Sequence, residues 1–219
     1  MRKFYTAILF LAHALAVFAQ SNDLQSLIDR TPDGGTLTIA PGTYVLDASL
    51  IISGKNGFRI EGKGQVKILC SDVWQDVLKI EESQSVRIGG IYFSHEKPLK
   101  EYQCNGGVID IRDSQKILVE DCELEGSGTI GVAARNVNDL TVDHCYVHDN
   151  TFNAFYIQDC DEILLTSNIV QNNANFIQLY KTDGFEMSDN IINGNGGYWR
   201  DKDTKPGLRI GVPAKKGKE

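Results

Sequence analysis

The chain has 219 residues, 42% of them hydrophobic and 23% charged, a balance that supports a folded core and excludes intrinsic disorder. Its net charge of −7 is uneven: residues 20–199 hold 13 basic and 26 acidic side chains, whereas residues 200–219 hold 7 and 3. An acidic body suits neither nucleic acid nor anionic lipid, so no nucleic-acid partner is expected.

Residues 1–19 read as a secretory leader. Arg2 and Lys3 give a basic start, Ala7 to Phe18 is apolar but too short to cross a bilayer, and Val17-Phe18-Ala19 suits cleavage before Gln20. No later stretch is long and apolar enough to span a membrane, so the expectation is a secreted or periplasmic chain without membrane insertion. Leu24, Leu27 and Ile28 then mark a short amphipathic helix, followed by the Gly34-Gly35 turn, a strand and the turn Pro41-Gly42-Thr43-Tyr44.

From there the chain repeats. The segments SVRIGGIYF, KILVEDCEL, DLTVDHCYV, EILLTSNIV and GFEMSDNII share an apolar-x-apolar triplet starting at Val86, Ile117, Leu140, Ile163 and Phe185, and a weaker copy starts at Phe58. A second alternating strand ends six residues before each triplet, at Ile80, Ile111, Ala134, Ile157 and Leu179. Three short period-2 strands per repeat, at a spacing near 22 residues, predict a parallel β-helix in which each repeat is one coil. The expected fold is all-β: a right-handed, single-stranded parallel β-helix of about six coils over residues 20–199, capped by the short helix. Residues 200–219, with Pro206 and Pro213, are expected to form a basic, flexible tail.

The register sorts the side chains. Counted from the start of each triplet, step five points inward as Ile91, Cys122, Cys145, Asn168 and Asn190, and step seven as Phe93, Leu124, Val147, Val170 and Ile192. Asn150, Asn173 and Asn195 recur at step ten and read as a structural ladder at a turn. Five cysteines is an odd number, so at least one is unpaired. Cys122 and Cys145 read as stacked buried thiols more readily than as a bridge. Cys104 is one candidate to tie its loop to Cys70, and Cys160 has no assigned role.

Outward positions carry the candidate chemistry. Step four places Asp121 one coil from His144, and step eight places Glu125 one coil from His148, each pair within hydrogen-bonding reach. On the preceding strand, Asp110, Ala133, Tyr156 and Gln178 form one column, and Arg112, Arg135, Gln158 and Tyr180 the next. Arg112 and Arg135 suit carboxylates, and Tyr156 and Tyr180 suit sugar rings, with His148 nearby; a solvated strand face is the plain alternative. Residues 94–107 add a longer insertion, bringing His95, Glu96, Lys97, Lys100 and Tyr102 over the regular surface.

These repeats, with the opening DLQSLIDRTPDGGTLTIAPGTYVL, resemble the right-handed parallel β-helix (pectin-lyase-like) superfamily over roughly Asp23 to Trp199. The resemblance implies a polysaccharide partner and, for an enzyme, lyase or glycoside hydrolase chemistry. Leu140-Thr-Val-Asp-His-Cys145 is similar to a pectate lyase strand with Val-Trp-Ile-Asp-His, which marks Asp143, His144 and the neighbouring Asp121 as catalytic candidates. Where that family carries Asp-Gly-x-x-Asp for calcium, this chain has Asn153-Ala154-Phe155-Tyr156, so no ligand set supports calcium and neither a metal site nor another cofactor is expected. The resulting expectation is a secreted β-helix that binds or processes polysaccharide, with uronate-containing polymers favoured by the arginines. The alternatives are a non-catalytic module that seats a partner or a second copy at its C-terminal edge, and a shortened relative of a longer polysaccharide lyase or hydrolase.

Overall fold

The computed structural model describes residues 24–126, 128–204 and the strand Arg209–Ile210; the leader expected at 1–19, and most of the tail expected at 200–219, lie outside the described residues. Among the described residues, no helix is long and apolar enough to cross a membrane.

The architecture is an all-β, right-handed parallel solenoid of about seven turns, with one short helix, Leu24–Arg30, at its start. The expected register holds throughout. Val86 pairs with Ile117, Ile117 with Leu140, Leu140 with Ile163 and Ile163 with Phe185. Ile80, Ile111, Ala134, Ile157 and Leu179 stack in the same way. The solenoid has one more turn than the expected six, because the opening segment is itself a coil: Thr36–Ile39 pairs with Arg59–Gly62, Gly42–Leu46 with Val66–Cys70, and Leu50–Ser53 with Leu78–Glu81. Its shorter apolar alternation hid that coil from the triplet pattern.

Apolar residues at inward positions form one continuous core along the axis, with Ile52, Ile80, Ile111, Ala134 and Ile157 fully buried on one side and Ile68, Phe93, Leu124 and Val147 on another. The helix closes the first coil as amphipathicity predicts. Leu24 and Ile28 are buried, while the Gln25 side chain donates to the Ile51 carbonyl (2.9 Å) and accepts the Ile51 N–H (2.8 Å). An edge strand that would otherwise offer free backbone groups is thereby occupied. At the other end, Ile191 and Ile192 are exposed, Ile192 having been expected inward. The strand Arg209–Ile210 continues the parallel pairing onto Glu186 and Met187.

The corners between faces are built from left-handed residues. Gly90, Asp121, His144, Ser167 and Asp189 share one corner column at positive φ, and Asp113, Asn136, Asp159 and Lys181 share another. Step four is therefore a bend, not a strand position pointing squarely outward. The asparagines form hydrogen-bonded ladders: the Asn150 amide donates to Asn173 Oδ1 and the Asn173 amide to Asn195 Oδ1, both at 2.8 Å.

All five cysteines are free. Cys70 is buried and Cys104 exposed, with the Cys104 thiol 3.0 Å from the Tyr102 hydroxyl, so no Cys70–Cys104 tie forms. The Cys122 thiol beside it, then burial, push the Cys145 thiol well up, so it stays protonated and inert. Cys160 is buried, and its thiol donates to the Gln158 carbonyl.

Candidate functional site

Stacking the second strand of successive coils builds a ridged face from residues 109–112, residues 130–135, Asn153–Gln158, Asn175–Tyr180 and Tyr198–Arg200. Alternation sends Ile109 and Ile111 inward and leaves Asp110 and Arg112 on the outer side, and the pattern repeats in every coil. The register puts Asp110, Ala133, Tyr156, Gln178 and Trp199 in one column and Arg112, Arg135, Gln158 and Tyr180 in the next.

The two columns merge into a single lane. Asp110 is buried beneath Arg112 and Arg135 and binds both, Arg112 through Nε and Arg135 through a terminal nitrogen. The Arg135 guanidinium also lies 5.0 Å from the centre of the Tyr156 ring, a cation–π distance. Tyr156 faces Tyr180 at 5.4 Å, and Tyr180 faces Trp199 at 4.3 Å. Positive charge and aromatic surface therefore run in sequence along the solenoid axis. Among the described residues, the remaining nitrogens of both guanidiniums carry no partner, and the side chains of Arg112 and Arg135 are 50% and 34% exposed. Trp199 escaped the sequence reading, which ended the repeat there; extending the Tyr156–Gln178 column by one coil reaches it.

His148 anchors a second cluster, on the adjacent sheet that runs from Gly42–Leu46 to Ile191–Asn193. Its Nδ1 lies 2.7 Å from Asp149 and its Nε2 3.3 Å from Glu123, while Glu125 accepts the Tyr92 hydroxyl. The insertion does not overhang the lane. Tyr102 packs on Phe152 at 5.0 Å, and Pro98–Tyr102 roof a cavity of about 540 Å³ over Glu125, Asp149 and Asn173; no lane residue lines it. His95 turns inward, fully buried, with Nε2 2.7 Å from the Gln75 carbonyl.

The right handed β-helix region matches residues 56–202. The chain belongs to that family. No curated protein matches it. Among solved structures, this β-helix is similar to the alginate lyase from Paenibacillus sp. str. FPU-7, with a TM-score of 0.68 and 15% identity over 81% of this chain and 66% of that one. It is also similar to a candidate glycosyl hydrolase from Parabacteroides merdae (TM-score 0.57, 14% identity, 80% of this chain and 87% of that one). A third is the ORF18 protein of Geobacillus virus E2 (TM-score 0.59, 17% identity), of which the β-helix spans 40% while 84% of this chain is covered. At such identities the likeness is one of fold, and fold does not carry activity.

The remaining candidate residues separate. Asp121 and His144 occupy corners of adjacent coils, but Nδ1 of His144 lies 2.7 Å from Asp143, its own neighbour in sequence, and not against Asp121. That contact lacks hydrogen-bond alignment. The expected one-coil pairing of Asp121 with His144 fails because the left-handed backbone swings the imidazole back along its own strand. The pairing of His148 with Glu125 changes too: its ring nitrogens meet Asp149 and Glu123.

Asp76, in the irregular segment before the lane, is a group the sequence did not single out. Burial, with a smaller push from nearby Asp110, raises its carboxyl above the usual range against the opposing Gly107 N–H bond, Lys79 and Arg112. A raised folded-state value means that the stability Asp76 contributes is present below about pH 3.8 and is lost as pH rises through the folded value. Asp76→Asn, which does not titrate, is expected to gain melting temperature relative to the parent between pH 4 and pH 7. A constant difference across that range would refute this.

Proposed function

We propose that this β-helix binds an acidic, uronate-containing polysaccharide along the lane formed by Arg112, Arg135, Tyr156, Tyr180 and Trp199. The observation that carries the reading is the continuity of the lane: three aromatic rings each in contact with the next, led by two guanidiniums oriented on one buried carboxylate. Amphipathic rings stack on the apolar faces of sugars, and a planar guanidinium matches a carboxylate. Successive coils advance by about 4.8 Å, so the lane presents recurring contacts to a recurring polymer. The same proposal includes export by the leader read in residues 1–19, which would place the lane where such polymers occur.

The lyase, the candidate hydrolase and the viral protein compared above support the fold that displays the lane, not its substrate. Asp76 and Asp110 are the carboxyl groups beside the lane, and turnover there would draw on Asp76, whose carboxyl is pushed up by burial, as acid. The test is titration of the protein with polygalacturonate, alginate and a neutral glucan by calorimetry. Binding of the uronate polymers over the glucan is expected, with Tyr180→Ala weakening it roughly tenfold, about 1.4 kcal/mol. No binding to any of the three at high protein concentration, or unchanged affinity in Tyr180→Ala, would reject the lane.

A further inference from the structure

Three potential metal ligands converge on the second sheet, away from the lane. Glu123 and Glu125 flank the core residue Leu124, so both point outward, and His148 pairs with Glu125 in the next coil. One donor atom from each of Glu123, Glu125 and His148 lies within 4.8 Å of the other two.

The histidine is held from two sides. Its ring stacks on Tyr146 at 3.9 Å, and Nδ1 sits 2.7 Å from an Asp149 oxygen. The two ring nitrogens thus each face a carboxylate, with Nε2 3.3 Å from a Glu123 oxygen. The Glu125 carboxylate, which accepts the Tyr92 hydroxyl, reaches the same point from the neighbouring column.

Ser94 stands one coil before Glu125 in the same column, 1% exposed, with its hydroxyl beside the Tyr92 hydroxyl that Glu125 accepts.

We propose that Glu123, Glu125 and His148 bind a divalent transition-metal ion of the zinc class, with Asp149 orienting the histidine. One imidazole with two carboxylates is a mixed nitrogen–oxygen donor set, which suits zinc over the hard cations calcium and magnesium. Donors about 2.1 Å from a tetrahedral ion are about 3.4 Å apart, so donors now within 4.8 Å need to close by at most about 1.4 Å. A carboxylate on the remote nitrogen of a ligating histidine is the recurrent device that fixes its tautomer. Three protein ligands leave a coordination position free, and Glu125 and Asp149 also line the cavity of about 540 Å³ under Pro98–Tyr102. The site therefore adjoins space for a small ligand and works independently of the lane.

The experiment is calorimetric titration of zinc into the full chain, freed of metal and kept reduced. One equivalent is expected to bind, and calcium and magnesium are not expected to bind comparably. His148→Ala and Glu125→Gln should each weaken zinc at least tenfold, and Asp149→Asn about 10- to 100-fold. His144→Ala and Cys104→Ser, the exposed imidazole and exposed thiol, should leave it unchanged. Circular dichroism checks the fold; if His148→Ala does not fold, the milder Glu125→Gln decides. No zinc binding, calcium binding of equal strength, full affinity in Glu125→Gln, or loss in Cys104→Ser would each overturn the site.

Discussion

Asn168→Ala is expected to lower stability by about 3 kcal/mol, more than the same change one coil further on at Asn190. Asn168 is fully buried in the inward step-five column. Its Oδ1 accepts the Cys145 N–H at 2.8 Å, and its amide nitrogen donates to the Val142 carbonyl and to Asn190 Oδ1. Truncation leaves a buried N–H and a buried carbonyl without partners, and each such group costs about 1–3 kcal/mol. Asn190 makes the same bond to the Leu165 carbonyl, but it is only half-buried, so water compensates and Asn190→Ala should cost less.

Cys145, one coil earlier, shows what can replace the amide. Its thiol points at the Val119 carbonyl at 3.5 Å, the position that Val142 holds for Asn168, and the Cys122 N–H faces its sulfur. Asn168→Cys should therefore be milder than Asn168→Ala. Urea denaturation of the three variants measures the order. Equal losses in Asn168→Ala and Asn190→Ala would show that burial does not set the cost.

Asp110→Ala should be the next most damaging change, costing about 2 kcal/mol. Arg112 and Arg135 pair directly across the coils, and Asp110 is the buried anion between them. Removing it sets two guanidiniums side by side without a counter-charge, although their partial exposure keeps the penalty below that of a fully buried pair. Two observations test this. Added salt should reduce the loss, because like-charge repulsion is screened. Arg135→Ala in the Asp110→Ala background should restore part of the stability, a coupling that a double-mutant cycle reads directly. Strict additivity would mean that the three side chains are not one unit.

The register was legible in the chain because inward columns must be apolar or mutually hydrogen-bonded in every coil, and that demand repeats the pattern from Val86 to Phe185. The lane followed from the same register, since Arg112, Arg135, Tyr156 and Tyr180 fall in adjacent columns by counting alone. What counting could not supply was direction at the corners. A period-2 reading treats Asp121 and His144 as strand residues, yet both sit at positive φ without being glycine. The His148 cluster was half visible: Glu125 lies in its column, but Glu123 reaches it on a diagonal, two residues back on the same strand. Asp76 lies in an irregular stretch where no repeat fixes its surroundings, so its proximity to Asp110 required the fold.

The left-handed corners also bear on how such a chain changes over generations. Holding an L-residue other than Gly, Asn or Asp at positive φ costs about 1 kcal/mol. Ser85, Lys116, His144, Glu162, Ser167 and Lys181 all sit there. Drift at any of them toward glycine or asparagine would raise stability without altering either face of a coil. The solenoid thus carries a distributed reserve of compensating substitutions, spaced one coil apart.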